Sequence, residues 1–303
     1  MEKLLDGRVV VVTGAGGAIG SNIAKLAASH GAKVIVNDLG GSAGGEGADA
    51  RAAQVVADEI NASGGTALAN FGSVASADDA NAMIQQALDA WGRIDVVVNN
   101  AGILRDTIFH KMELKDWELV EGVNLTGTFN VSRAAAPHFK EQGSGCFVHM
   151  TSTSGLIGNI AQVNYGAAKL GVAGLSKCIA IDMERFGVRS NCIAPFAYTR
   201  MVATIPQTEA NEERLRIVKQ MGPEKIAPFV VSLMTDGAKD INAQIFGVRK
   251  NEIVLFSQPR PIRSVHTNEG WTVESCLKTA LPALRPSLIR LERSPDVFNW
   301  DPI

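Results

Sequence analysis

Three side chains near the middle of the chain have the types and spacing to move a proton. Ser152 ends an apolar run, and Tyr165 and Lys169 lie four positions apart in the segment that follows. If residues 163–186 form a helix, that spacing stacks Tyr165 and Lys169 on one face. A strand ending at Ser152 then delivers the serine to them. Tyrosine is a poor base near neutrality, because its ordinary pKa is about 10 and each tenfold change in ionisation requires about 1.4 kcal/mol. A lysine ammonium roughly 4 to 6 Å away, at an effective dielectric near 20, offers about 3 to 4 kcal/mol. On that arithmetic Lys169 alone is expected to make Tyr165 a usable base, with Ser152 orienting the hydroxyl that loses its proton.

The elements that must hold these groups follow from the pattern on either side. Residues 8–13 are an apolar, β-branched strand that breaks into Gly14-Ala15-Gly16-Gly17-Ala18-Ile19-Gly20 and then an Ala-rich helix reaching His30. Further strands are expected at 33–37, 66–71, 94–99, 146–151, 188–194 and 243–248. Helices are expected at 48–61, 77–91, 116–141, 163–186, 211–220 and 223–236. Strands alternating with helices imply right-handed crossovers, hence an α/β, Rossmann-type doubly wound parallel sheet with helices on both faces. Residues 1–248 read as one domain. Residues 249–303 read as an extension with a strand at 253–257 and a short helix at 272–284. Its terminal Phe298 and Trp300 are expected to dock on the same domain or on a neighbouring subunit.

Glycines at the first strand-to-helix turn let backbone N–H groups approach a pyrophosphate at a helix N-terminus. Such a loop is a weak signal alone. It gains weight from Asp38, at the tip of the second strand some twenty residues on, where a carboxylate accepts both ribose hydroxyls of NAD and repels the extra phosphate of NADP. Gly14, Gly16, Ala18, Ile19, Gly20 and Asp38 are therefore expected at a NAD site, joined by Asn100, Ala101 and Gly102 after the fourth strand. Asn99-Asn100-Ala101-Gly102 serves equally well as a tight turn with a helix cap. The glycine-rich stretch 40–47 reads as a flexible surface connection more readily than as a cover for the adenosine end.

Composition narrows the partners. Charged residues make up 20% of the 303-residue chain and the formal net charge is -2, which gives no basic field to collect nucleic acid or an anionic membrane. No apolar run reaches the length of a membrane span. The first residues carry charges of both signs, unlike a signal peptide. Cys146, Cys178, Cys192 and Cys276 share no short spacing, and three lie in apolar patterns, so packed, reduced thiols in a cytoplasmic protein are expected. His30, His110, His138, His149 and His266 show no ligand spacing, and no metal site is expected.

Thr13-Gly14, Ala18-Ile19-Gly20, Asn99 to Gly102, Asn124, Ser152, Tyr165, Lys169 and Asn191-Cys192-Ile193-Ala194-Pro195 stand in the order and spacing of one family. Over about residues 5–248 the chain resembles the short-chain dehydrogenase/reductases. Within it, the runs 37–41, 93–98 and 99–106 and the stretch around Asn164 and Tyr165 are similar to the (3R)-hydroxyacyl-CoA dehydrogenase part of peroxisomal multifunctional enzyme type 2. The resemblance implies catalytic roles for Asn124, Ser152, Tyr165 and Lys169. Lys169 would also bond the nicotinamide ribose, and Asn124 would fix a water linking Lys169 to solvent. It assigns cofactor contacts to Ser73, Val74, Tyr165, Lys169, Pro195 and Thr199, and implies a homodimer or homotetramer. Three departures stand out: Ala18 for a usual glycine, Gly72 where an aspartate commonly contacts adenine, and Phe196 for the glycine usual after Pro195.

The expected function is NAD-dependent interconversion of a secondary alcohol and a ketone, on a 3-hydroxyacyl-CoA or a related hydrophobic or alicyclic alcohol. Tyr198, Met201, Ile205 and Met221 are placed to cover the reacting carbon as a lid. Arg200, Arg214, Arg216 and Lys219 are candidates for coenzyme A phosphates, although exposed helix charges are more often solvated. A NADPH-dependent 3-oxoacyl thioester reductase and a non-catalytic dinucleotide sensor are the alternatives. Asp38 disfavours the first and the intact catalytic set disfavours the second.

Overall fold

The valines of β1 (Val9–Thr13) are buried on both sides of the strand, the mark of a central strand in a sheet covered on both faces. The computed structural model describes residues 2–47, 49, 51–198 and 212–302, with side chains in the last stretch from Arg216 onward. In chain order it runs β1, α1 (Ala18–Ser29), β2 (Lys33–Asn37), α2 (Arg51–Ala62), β3 (Thr66–Asn70), α3 (Ala77–Trp91) and β4 (Val96–Asn99). There follow α4 (Leu114–Glu121), α5 (Gly127–Gln142), β5 (Gly145–Met150), α6 (Thr153–Leu156), α7 (Val163–Met183), β6 (Val188–Phe196), α8 (Glu212–Lys219), α9 (Ala227–Leu233) and β7 (Ile245–Arg249). The extension contributes β8 (Glu252–Leu255), α10 (Val273–Ser275), α11 (Leu281–Leu284) and α12 (Ser294–Val297).

The strands form one sheet in the order β3-β2-β1-β4-β5-β6-β7-β8. All neighbours pair parallel except β7 with β8, which are antiparallel, so the extension closes the sheet edge with a hairpin. The strand order reverses between β1 and β4, and their carboxyl ends open the crevice in which such sheets bind ligands. Val10 and Val12 pack with Val34, Val98 and Val148 beneath α1, α2 and α9, while Val9 and Val11 pack with Ile35, Val97 and Phe147 beneath α3 and α5. The period-two alternation of β1 thus feeds two separate cores.

Two expectations change. The helix foreseen over 116–141 is α4 and α5 joined by a wide, π-type turn at Gly122–Thr126. The extra residue in that turn cannot be read from apolar periodicity, because the flanking stripes stay in phase with their own cores. The short α6 after Ser152 has too few residues to carry a period of its own. Thiol packing is as expected for the buried Cys146 and Cys192, whereas Cys178 is exposed on α7. Among the described residues no helix is long and apolar enough to cross a membrane.

Candidate active site

The crevice is a cleft of about 240 Å³ running from Asp38 and Leu39, past Gly14, Ala18 and Ile19, to Tyr165, Lys169 and Pro195. Its glycine turn is fixed from β4. The Asn100 side-chain amide donates to the carbonyls of Thr13 (2.9 Å) and Gly14 (3.0 Å), and the N–H groups of Asn100 and Ala101 donate to Thr13 Oγ1. Gly14 has φ +63°, and a Cβ there would stand 2.8 Å from Ala101 Cα. At Gly20 a Cβ would meet the Gly14 carbonyl at 2.5 Å. Both positions therefore need glycine for backbone approach. Gly16 and Gly20 shape the turn without lining the cleft; Gly14, Ala18, Ile19, Asn100, Ala101 and Gly102 line it.

Asp38 is held as a carboxylate acceptor, taking N–H donation from Gly16 (2.9 Å) and Gly40 (2.6 Å). Its charge is thereby fixed beside the glycine turn. The loop after β2 is not an ordinary surface connection. Gly41, Ser42, Ala43 and Gly45 line the cleft, Leu104 N–H donates to the Ala43 carbonyl (3.0 Å), and Arg105 Nε donates to the Gly44 carbonyl (2.9 Å). Glycine content suggested freedom; a buried-side guanidinium removes it.

Gly72, Ser73 and Val74 also line the cleft. Part of their backbone is engaged within the protein. Ser73 N–H donates to Asp79 (2.9 Å), its carbonyl accepts from Ser76 N–H, and the Val74 carbonyl accepts from the Asn130 amide (3.0 Å). Of the two N–H groups, that of Ser73 is thus taken up within the protein, and Ser73 and Val74 both stand at the cleft surface. Gly17, Asn37, Leu39, Ile103, Val123, Met150 and Thr151 complete the lining beyond the sequence-based set. Asn37 had a signal, a polar residue ending an apolar strand; Val123 sits in the unforeseen wide turn.

At the far end Ser152 is the N-cap of α6, its Oγ accepting from Ser154 N–H at 3.1 Å. The cap and the reactive hydroxyl are the same group. α6 packs directly on α7: a Cβ at Gly155 would stand 2.5 Å from the Leu170 nitrogen. Lys169 is buried, with Nζ donating to the Met150 carbonyl (2.9 Å) and lying 5.6 Å from the centre of the Tyr165 ring. Thr151 Oγ1 donates to the Lys169 carbonyl (2.6 Å), so the end of β5 grips α7 at the lysine.

Burial reverses the expected electrostatics. It pushes the Tyr165 phenol up to about 12; the Ser152 hydroxyl hydrogen-bonded to it pulls the other way, and the Asp106 carboxylate adds to the rise. Burial brings Lys169 down to about 8, with Cys192 opposing. The surface-like dielectric assumed from sequence omitted the cost of placing both charges in the interior. Desolvation thus opposes the help that Lys169 was expected to give the phenolate.

Asn124 is buried in the wide turn. Its amide nitrogen donates to the carbonyls of Ile103 (3.0 Å) and Val120 (2.9 Å), and its Oδ1 has no protein partner. A Cβ at Gly102 would stand 2.6 Å from that Oδ1 and 3.4 Å from Lys169 Nζ, so the two atoms converge on Gly102. Thr199, Arg200, Met201, Ile205 and the Arg214 side chain lie outside the described residues. The ends of the expected lid meet, Tyr198 N–H donating to the Met221 carbonyl at 2.7 Å.

The comparisons with known proteins show the family and the fold. Residues 8–210 match the short chain dehydrogenase family model. A short-chain type dehydrogenase/reductase of Mycobacterium tuberculosis is 45% identical over 252 residues, covering 82% of this chain and 85% of that one. Peroxisomal multifunctional enzyme type 2 of Mus musculus is 44% identical over 243 residues, covering 80% of this chain, which spans only 32% of that protein. Among solved structures, a short chain dehydrogenase from Mycobacterium avium superposes with a TM-score of 0.82 at 34% identity, covering 96% of this chain and 98% of that one. A 7α-hydroxysteroid dehydrogenase complexed with NADH and 7-oxo glycochenodeoxycholic acid superposes with a TM-score of 0.75 at 29% identity, covering 82% and 96%.

Proposed function

Because the chain belongs to the short-chain dehydrogenase family, we propose that it is a NAD-dependent oxidoreductase interconverting a secondary alcohol and a ketone, with a 3-hydroxyacyl-CoA or a related hydrophobic or alicyclic alcohol as substrate. One observation carries this reading. Tyr165 and Lys169 line one end of a cleft whose other end is the backbone-held carboxylate of Asp38, with Ser152 hydrogen-bonded to Tyr165 and the unpartnered Asn124 Oδ1 meeting Lys169 Nζ around the cleft-lining Gly102.

The residues fit a dinucleotide. The Gly14–Ile19 turn would face its pyrophosphate, Asp38 its adenosine ribose, and Tyr165, Lys169, Asn100 and Pro195 its nicotinamide end. When bound in oxidised form, the cofactor would supply the hydride acceptor and a positive charge that favours ionisation of the Tyr165 phenol. Ser152 holds the substrate oxygen and Tyr165 exchanges its proton. Desolvation brings Lys169 down to about 8, within reach of proton exchange, and Asn124 Oδ1 would offer the acceptor for a water carrying that proton onward. In the ketone-reducing direction the neutral Tyr165 is already the proton donor.

The hydroxyacyl-CoA preference draws on the similarity to the multifunctional enzyme, and an alicyclic preference draws on the hydroxysteroid dehydrogenase. Asp38 supports NAD over NADP by charge. A cytoplasmic setting and a homo-oligomer complete the reading. Residues 1–248 would act as one domain with 249–303 packed on it.

The test is a pair of titrations with NADH and NADPH, followed by turnover on 3-hydroxyacyl-CoA esters and cyclic alcohols by the parent protein and Tyr165→Phe. We expect NADH to bind at least about tenfold more tightly, a difference of about 1.4 kcal/mol. Tyr165→Phe should bind NADH normally and turn nothing over. Preference for NADPH would overturn the cofactor assignment and favour the reductase. Tight NADH binding with no turnover by the parent protein would favour a sensor.

A further inference from the structure

The tail beyond β8 returns to the substrate side of the cleft and is fixed there at two points. Around α12, Arg293 and Asp296 pair through two hydrogen bonds (2.8 and 2.7 Å), which sets the segment's own shape. Ser294 is 6% exposed. Its N–H donates to the Gly158 carbonyl (2.9 Å) and its Oγ donates to Thr153 Oγ1 (2.7 Å), on the residue next to Ser152.

Four residues on, Phe298 meets Phe196 edge-on at 4.8 Å and Phe256 at 6.0 Å. Trp300 closes this end. Its Nε1 donates to the Glu252 carboxylate (3.0 Å), and its carbonyl accepts from the buried Arg249, whose guanidinium lies 5.4 Å from the tryptophan ring. Phe196 directly follows the cleft-lining Pro195. It also replaces the glycine expected at that position from the family resemblance. Two departures thus explain each other, since the added ring is the socket into which the added tail plugs.

One anchor is on the residue next to Ser152 and the other on the residue next to Pro195, with only one helical turn between them. Phe196 and Phe298 make the second anchor apolar and aromatic. Most of the extension is also matched in the Mycobacterium avium structure, which covers 96% of this chain, against 82% for the hydroxysteroid dehydrogenase.

We propose that residues 292–300 form the outer wall of the substrate site in cis, and that Phe298 sets the size of the apolar substituent accepted on the reacting carbon. This rests on the alcohol dehydrogenase reading above. The experiment measures kcat/KM for a graded series, short- to long-chain 3-hydroxyacyl-CoA esters, cyclohexanol and a hydroxysteroid, with parent protein, Phe298→Ala and the milder Phe298→Leu. NADH affinity is measured beside it as a control for folding and for the nucleotide half of the cleft. We expect NADH affinity within about twofold of parent. The ratio of kcat/KM between bulky and small substrates should shift at least about tenfold in Phe298→Ala and less in Phe298→Leu, the scale on which apolar pockets discriminate size. A uniform change across the series, or none, with active parent protein overturns the wall and leaves the dehydrogenase reading standing. No turnover of any member by the parent protein overturns that reading, and the wall with it.

Discussion

Tyr165 must give and take a proton from a place where desolvation favours its neutral form and the Ser152 hydroxyl opposes that shift. Burial holds its phenol near 12, so alcohol oxidation with the bound cofactor should quicken as pH rises above neutrality, while ketone reduction, which starts from the neutral phenol, should not need that rise. Lys169 shows what the arrangement costs. Its ordinary pKa of 10.5 falls to about 8, equivalent to about 3 kcal/mol against the folded state wherever the ammonium is charged in both states. The sign follows from the depressed value: the penalty is complete below about pH 8 and fades as pH climbs to the unfolded value. Lys169→Met should therefore abolish turnover yet raise stability at pH 7 by about 1 to 2 kcal/mol, part of the gain being offset by the lost bond to the Met150 carbonyl. Urea unfolding at pH 7 and again near pH 10.5 checks this, with the gain absent at the higher pH. Stabilisation that persists at pH 10.5 would mean packing rather than charge is responsible.

At the scale of elements, the site depends on how closely α6 rests on α7. Ser152 is fixed by capping α6, and Tyr165 and Lys169 ride on α7, so the spacing of the two helices sets the spacing of the reacting groups. Gly155 permits the contact, since a Cβ would press on the Leu170 nitrogen at 2.5 Å and the Gly166 carbonyl at 2.9 Å. Gly155→Ala should cost about 1 to 3 kcal/mol, the usual range for overpacking, and lower kcat with NADH affinity unchanged. Calorimetry with steady-state kinetics decides it, and a variant of parental kcat would remove the helix spacing from the account. The wide turn between α4 and α5 works similarly. It swings Asn124 inward so that Oδ1 faces Gly102 beside Lys169 Nζ, a direction a regular helix through 116–141 would not give it.

For the whole molecule, α7 links the site to assembly. Its inner side packs Ala168, Val172, Ala173 and Ala180 against the domain, while Val163, Ala167, Leu170, Gly174, Cys178 and Ile181 form an exposed stripe without a charge. Such a stripe at helical spacing suits self-association through α7. Leu170→Arg should shift light-scattering mass toward the monomer at micromolar concentration. Parent protein that is already monomeric there would end the oligomer reading.

By itself the sequence determined the alternation of strands and helices, the glycine turn, Asp38 and the Ser152-Tyr165-Lys169 set. All of these depend on local spacing: two residues per strand repeat, four per helical turn, glycine where backbones touch. Tertiary structure decided the rest, because it depends on distance between parts far apart in the chain. Burial set the proton affinities of Tyr165 and Lys169 against the expectation. Arg105 turned a glycine-rich loop into a wall of the cleft. The tail found its place through partners such as Thr153 and Phe196, both more than a hundred positions upstream.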